Sequence, residues 1–307
     1  VTFKTLEGKE ITRQLKAVKA SVAQRRYKKH SESARILQMY KQQRKKWEVR
    51  FPDDLPSTAI LVIPGFAGKR INYEEQAQDF VENFMDKALE TMKKKGTQNL
   101  ILELRSNSGG WDIMGTTLIS YLLKKQDSIS YYGDGYAATN QSEFLKHSDV
   151  PEYELKNLSE ALEPMPDGSF RLKEQYNATY GMIHKRPNAF KGTIYLLMDE
   201  YTGSAAAEFS AIMKSNRLAT LVGQETNGTY GGLNGSTFID LSLPNSNIHV
   251  RTPLVRGYLA VDPIQPTARG VLPDYEVAFT LEDILNKRDA QMEKVKSLIR
   301  QKGNSTQ

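Results

Sequence analysis

Cysteine is absent from the 307 residues, which excludes disulfides, thiol catalysis and thiolate metal sites while leaving the compartment open. Histidine is scarce, with His30, His147, His184 and His249 the full set. No two of them share helical ligand spacing, and no carboxylates cluster with the spacing of a metal loop, so no metal and no cofactor are expected. Long apolar runs are missing too: no stretch approaches the roughly 20 uncharged residues that span a bilayer. Val1 is not a methionine and no apolar leader follows it. That start predicts a processed or truncated piece of a longer polypeptide.

Charge is present but unevenly placed. The formal net charge is +6, yet residues 1–50 hold fifteen Lys and Arg against four Asp and Glu, which leaves the remainder at about −5. Such a segment can attract nucleic acid. Here the cations are scattered among Gln, Ser and Glu with no nucleic-acid module, so a solvated face is expected and no nucleic-acid partner.

Hydrophobic patterning divides the chain. Val1 to Leu15 alternates on either side of Glu7-Gly8-Lys9, as two short strands with a turn would. A polar connection to residue 50 follows. Apolar runs at 58–63, 99–105, 193–198 and 218–222 read as strands buried on both faces. Between them, Phe80, Val81, Phe84, Met85, Leu89 and Met92 recur at helical spacing within 74–95, and further helices are expected at 112–125 and 204–215. Residues 126–190, rich in Tyr, Asp, Asn, Ser and Pro, break this rhythm and are expected to form an inserted cap. Residues 236–260 read as two or three strands, and a charged amphipathic helix is expected from 281 to about 300.

Two stretches carry chemistry. In Thr193–Gly232 an apolar strand runs through Asp199–Gly203 into Ser204 and the helix-forming Ala205-Ala206-Ala207-Glu208-Phe209. A serine there has free N–H groups and the positive end of a helix dipole beside it, which suits a nucleophile whose reaction develops an oxyanion. A capping serine would occupy the same position. Glu208, four residues on, shares the helical face of Ser204, and a structural ion pair is its expected role. The strand 99–105 runs into Ser106-Asn107-Ser108-Gly109-Gly110, where adjacent glycines let backbone N–H groups turn toward a ligand.

The motifs Glu103–Gly110, Thr202–Glu208, Leu221-Val222-Gly223-Gln224-Glu225-Thr226 and Gly270-Val271-Leu272-Pro273-Asp274, in that order, resemble the S41 serine peptidases, the tail-specific or C-terminal processing proteases and the tricorn-like core proteases. The resemblance spans roughly residues 58–278. It implies an α/β fold with a crotonase- and ClpP-like core, a mostly parallel sheet and flanking helices. It implies Ser204 as nucleophile, with the N–H of Ala205 and of Gly109 or Gly110 as oxyanion donors. It implies peptides or unfolded protein tails as substrate, and an exported, periplasmic or cell-surface location. Residues 1–50 would then be the end of an upstream PDZ-like or other β module with a basic linker. Residues 51–280 would be the catalytic core with the cap at about 126–190, and 281–307 a C-terminal helix and tail.

The general base is the departure from the pattern. The processing-protease branch places a lysine 25 residues after the serine, a position held here by Thr229, which cannot act as a base. Lys214 lies ten residues along the same helix, about 15 Å by helical rise. The tricorn-like branch takes a histidine from upstream of the PDZ-like segment, so the base is expected in an upstream region. His147 and His184, in the expected cap, and Asp262, near the position of that branch's supporting acid, are the remaining candidates for base or acid. The rival readings are an inactive S41-like peptide- or ligand-binding module and an esterase using the same serine.

Overall fold

The structure is a computed structural model. It describes residues 2–4, 8–14, 18–19, 21–22, 25, 46–68, 71–137, 148, 156, 159–173, 181–232 and 234–304. Two compact units emerge, Val1–Lys45 and Lys46–Gln307. In the first, β1 (Thr2–Lys4) pairs antiparallel with β2 (Glu10–Thr12). Gly8, at φ 79°, supplies the left-handed residue of the intervening turn.

The second unit is built on a six-stranded sheet. Its strands are β3 (Glu48–Arg50), β4 (Thr58–Val62), β5 (Asn99–Glu103), β11 (Thr193–Met198), β12 (Thr220–Gly223) and β15 (Tyr275–Glu276). The order is β15-β12-β11-β5-β4-β3, parallel except at β3–β4. The continuous apolar runs are what such a sheet needs, because helices cover it. The helix α1 (Glu74–Lys94) buries Ala77, Val81, Met85, Ala88, Leu89 and Met92, the stripe that its spacing lays on one face. Trp47 packs edge-on to Phe80 and Phe84 of that helix and donates its indole N–H to the Gly65 carbonyl at 2.9 Å. The helices α2 (Asp112–Ser120) and α3 (Ala205–Ser215) are buried almost throughout.

A second sheet stands apart from this frame. It is antiparallel, in the order β13-β14-β7-β9-β8, from β7 (Tyr132–Ala137), β8 (Leu162–Pro164), β9 (Phe170–Leu172), β13 (Asn234–Ser242) and β14 (His249–Leu259). Within 126–190, the strands β7, β8 and β9 share this sheet with the strands of 234–259. A further two-stranded ladder joins β6 (Ser128–Ser130) to β10 (Met182–His184).

Two helix boundaries also differ. The helix expected at 112–125 stops at Ser120, where the Tyr121 and Leu122 amides bond three residues back and tighten the turn. The C-terminal helix is two, α4 (Leu281–Leu285) and α5 (Ala290–Asn304). Lys287 takes φ 55° between them. The buried Arg105 holds Asp289 through both carboxylate oxygens at 2.7 and 2.8 Å, pinning the start of α5 to the end of β5.

Candidate active site

Ser204 sits between β11 and α3 at φ 48°, ψ −134°, a conformation that costs a residue bearing a Cβ about 1–3 kcal/mol. Its hydroxyl makes no capping hydrogen bond. Capping therefore does not account for the serine. A strained, exposed serine on a sharp strand-to-helix turn is the geometry that lifts a nucleophile clear of a sheet. The turn is braced from beneath by Asp199, whose carboxylate accepts from the Ser106 amide at 2.8 Å and the Tyr201 amide at 3.1 Å.

The glycine turn after β5 meets this serine directly. Asn107, fully buried, accepts the Gly109 N–H on Oδ1 at 2.9 Å and donates from Nδ2 to the Ile63 carbonyl at 3.1 Å. Its own carbonyl accepts the Gly203 N–H at 3.0 Å, tying the two turns together. A Cβ on Gly109 would fall 2.6 Å from Ser204 Cβ and 2.9 Å from the Ala205 nitrogen, and one on Gly110 would fall 1.9 Å from the Phe66 carbonyl oxygen. Both positions require glycine. The Gly109 N–H is occupied by Asn107, whereas the Gly110 and Ala205 N–H groups have no acceptor among the described residues. Those two remain available to an oxyanion.

Ser204 opens onto a cleft of about 290 Å³ between the two sheets, walled by Leu172, Phe238 and Val255 and floored by Asp112, Tyr132 and Glu208. The Tyr132 hydroxyl lies 2.7 Å from Glu208 Oε2 and 3.0 Å from Asp112 Oδ2. Burial pushes the pKa of both carboxyl groups upward, and for Glu208 the charge of Asp112 adds to the effect. Glu208 makes no ion pair among the described residues, so the structural salt bridge expected for it gives way to this phenol-bridged pair. Asp112 and Tyr132 were not singled out in the sequence. The available signal for Asp112 was its place as the first helical residue after Gly109-Gly110-Trp111.

The structure thus brings Ser204, Ala205, Gly109 and Gly110 together and leaves His184 and Asp262 elsewhere. His184 lies on β10, where it lines a separate cavity with Thr117, Ser120 and Arg186. Asp262 donates its amide to Ser215 Oγ at 2.8 Å, at the opposite end of α3 from Ser204, some 16 Å away by helical rise. Neither reaches the serine. His147 lies outside the described residues. Lys214 binds the Leu272 carbonyl and Asp274, and Thr229 turns its hydroxyl to the Gly232 carbonyl.

An α/β frame that sets an exposed, strained serine beside two N–H groups without acceptors among the described residues is that of a serine hydrolase. Comparison with protein families narrows the class: the model described as Peptidase family S41 matches residues 57–277. The chain belongs to peptidase family S41, a family of serine peptidases. Comparison with curated proteins returns no significant match. Among solved structures, a candidate peptidase from Parabacteroides merdae is similar at 20% identity and TM-score 0.52, over 88% of this chain and 70% of that one. It supports the fold. A candidate S41 protease from Bacteroides fragilis shares 15% identity at TM-score 0.47, over 82% of this chain and 57% of its own. A photosystem II D1 C-terminal processing protease shares 18% at TM-score 0.36, over 75% and 46%. The chain thus spans about half the length of these last two. No described helix is long and apolar enough to cross a membrane.

Proposed function

We propose that the protein is an endopeptidase that cleaves unfolded protein segments or tails through an acyl-enzyme on Ser204. The observation that carries this reading is the backbone of Ser204, held at positive φ without a capping bond. Strain of that kind needs a purpose, and exposing a nucleophile is one. In the reaction, Ser204 Oγ bonds to the scissile carbonyl carbon as its proton passes to a base. The resulting oxyanion is held by the Gly110 and Ala205 N–H groups. The C–N bond then breaks, the amine leaves with that proton, and water repeats the attack on the ester to release the acid.

Among the described residues no histidine or lysine lines the cleft. The base in this proposal is a histidine from outside them, supplied by an upstream region as in the tricorn-like branch, with His147 the alternative. The same observation favours the second reading, an S41 fold that binds peptides without cutting them. Residues 51–280 form the catalytic core in this account, and the location is outside the cytoplasm, as the resemblance implies.

The test is incubation of the full-length gene product with an unfolded protein, with products read by mass spectrometry. Internal cleavage that disappears in Ser204→Ala is expected. Intact substrate alongside binding would replace the enzyme with the binding module. Turnover of small esters alone would replace it with an esterase.

A further inference from the structure

The floor of the cleft beside Ser204 has an unusual proton inventory. Tyr132 carries one phenolic hydrogen, yet its oxygen lies within hydrogen-bond distance of two carboxyl groups, at 2.7 Å from Glu208 and 3.0 Å from Asp112. The phenol can donate to only one of them. The other contact is a hydrogen bond only when that carboxyl is protonated and donates to the phenol oxygen. With both contacts formed as hydrogen bonds, the trio holds one acid proton and one negative charge. Glu208 is 4% exposed, and its second oxygen, Oε1, has no partner among the described residues although the residue lines the cleft. No Lys, Arg or His among the described residues lines it either. A buried negative charge left without a cation is costly, so the binding partner that relieves it is a positive one.

The walls add a second constraint. Leu172, Phe238 and Val255 are apolar and line the same cleft as the acid trio, together with Asn227 and Asn234. The volume of about 290 Å³ lies at the lower edge of the roughly 300–1,000 Å³ typical of small-molecule sites, room for one long side chain. A side chain with an aliphatic stem and a cationic end matches both features, because the stem covers the walls while the head reaches the acid pair.

Building on the reading of Ser204 as nucleophile, we infer that this cleft receives a lysine or arginine side chain of the substrate, with Asp112, Tyr132 and Glu208 as its anionic floor. The cleft adjoins Ser204, so the residue selected is the one whose carbonyl the serine attacks. The protein then cuts after basic residues. Glu208 and Asp112 set specificity and take no part in bond breaking.

The experiment compares two diphenyl phosphonates that modify the serine irreversibly, one bearing an aminobutyl side chain as in lysine and the other a butyl side chain of the same length. Second-order inactivation rates are measured on the full-length protein, with a side-chain-free fluorophosphonate as a separate report on the serine. The aminobutyl compound is expected to react about tenfold faster or more, the scale of one charge-assisted hydrogen bond net of desolvation. That preference is expected to vanish in Glu208→Gln and Asp112→Asn combined, with each single variant measured as well and folding checked by thermal melting. Equal rates in the wild-type protein overturn the inference while fluorophosphonate labelling leaves the nucleophile standing. A preference that persists in the double variant also overturns it. Absence of any labelling at Ser204 removes the underlying reading and the inference together.

Discussion

The two sheets of Lys46–Gln307 differ in how they are held together. In the six-stranded sheet, Leu61, Leu100, Leu102, Leu196 and Leu197 are fully buried and pack with α1, α2 and α3 or with α5. Among the described residues of the five-stranded sheet, Leu162 and Val255 form a small buried cluster with Phe170, Leu172 and Leu254 partly exposed around it, while Tyr132 and Leu259 join the main core. One sheet is a core and the other is a wall. The cleft lies on the seam, taking its serine from the first and its apolar lining from the second. A nucleophile needs a rigid mount, whereas a surface that accepts varied chains benefits from shallow packing that opens at lower cost.

The sharpest probe of this contrast is a matched pair of truncations. Leu196→Ala, in the buried centre of β11, is expected to destabilise the protein by about 2–5 kcal/mol. Leu254→Ala, half-exposed on β14, is expected to cost less than about 1.5 kcal/mol, since less surface leaves water on folding there. Denaturant melts of both variants decide the matter, and equal losses would erase the distinction between core and wall.

A smaller effect reports on the seam itself. Burial raises the pKa of Glu208 from 4.5 to about 8, so between those values the folded state keeps a proton that the unfolded chain has released. Stability then falls as pH rises through that window, by at most about 1.4 kcal/mol per pH unit for one proton. Glu208→Gln, which cannot titrate, is expected to flatten that slope. Melts from pH 5 to 8 that show equal slopes in both proteins would mean that no proton is held there.

The same contrast explains what could be read from the amino-acid sequence. Ile194–Met198 and Leu100–Leu102 are unbroken apolar runs, and a strand buried on both faces leaves that trace locally. So do the stripe of α1 and the Gly109-Gly110 and Gly203-Ser204 pairs. The second sheet leaves little. The strands β8 and β9 are three residues each, too short for alternation to declare itself, and β7 pairs with β14 more than a hundred residues away. Nothing local says that Tyr132 will reach Asp112 and Glu208. The break before α5 was likewise hidden, because it depends on Arg105, far along the chain, taking hold of Asp289. Residues whose roles come from their own neighbours were legible, and those whose roles come from distant pairing were not.

The account rests on Ser204 being a reactive nucleophile. Intact mass spectrometry after exposure to a fluorophosphonate, on this chain and on the full-length gene product, reads that property directly. One adduct per chain is expected in the full-length protein, mapped to the peptide containing Ser204 and absent in Ser204→Ala. A full-length, folded protein that gains no mass at Ser204 would contradict the account.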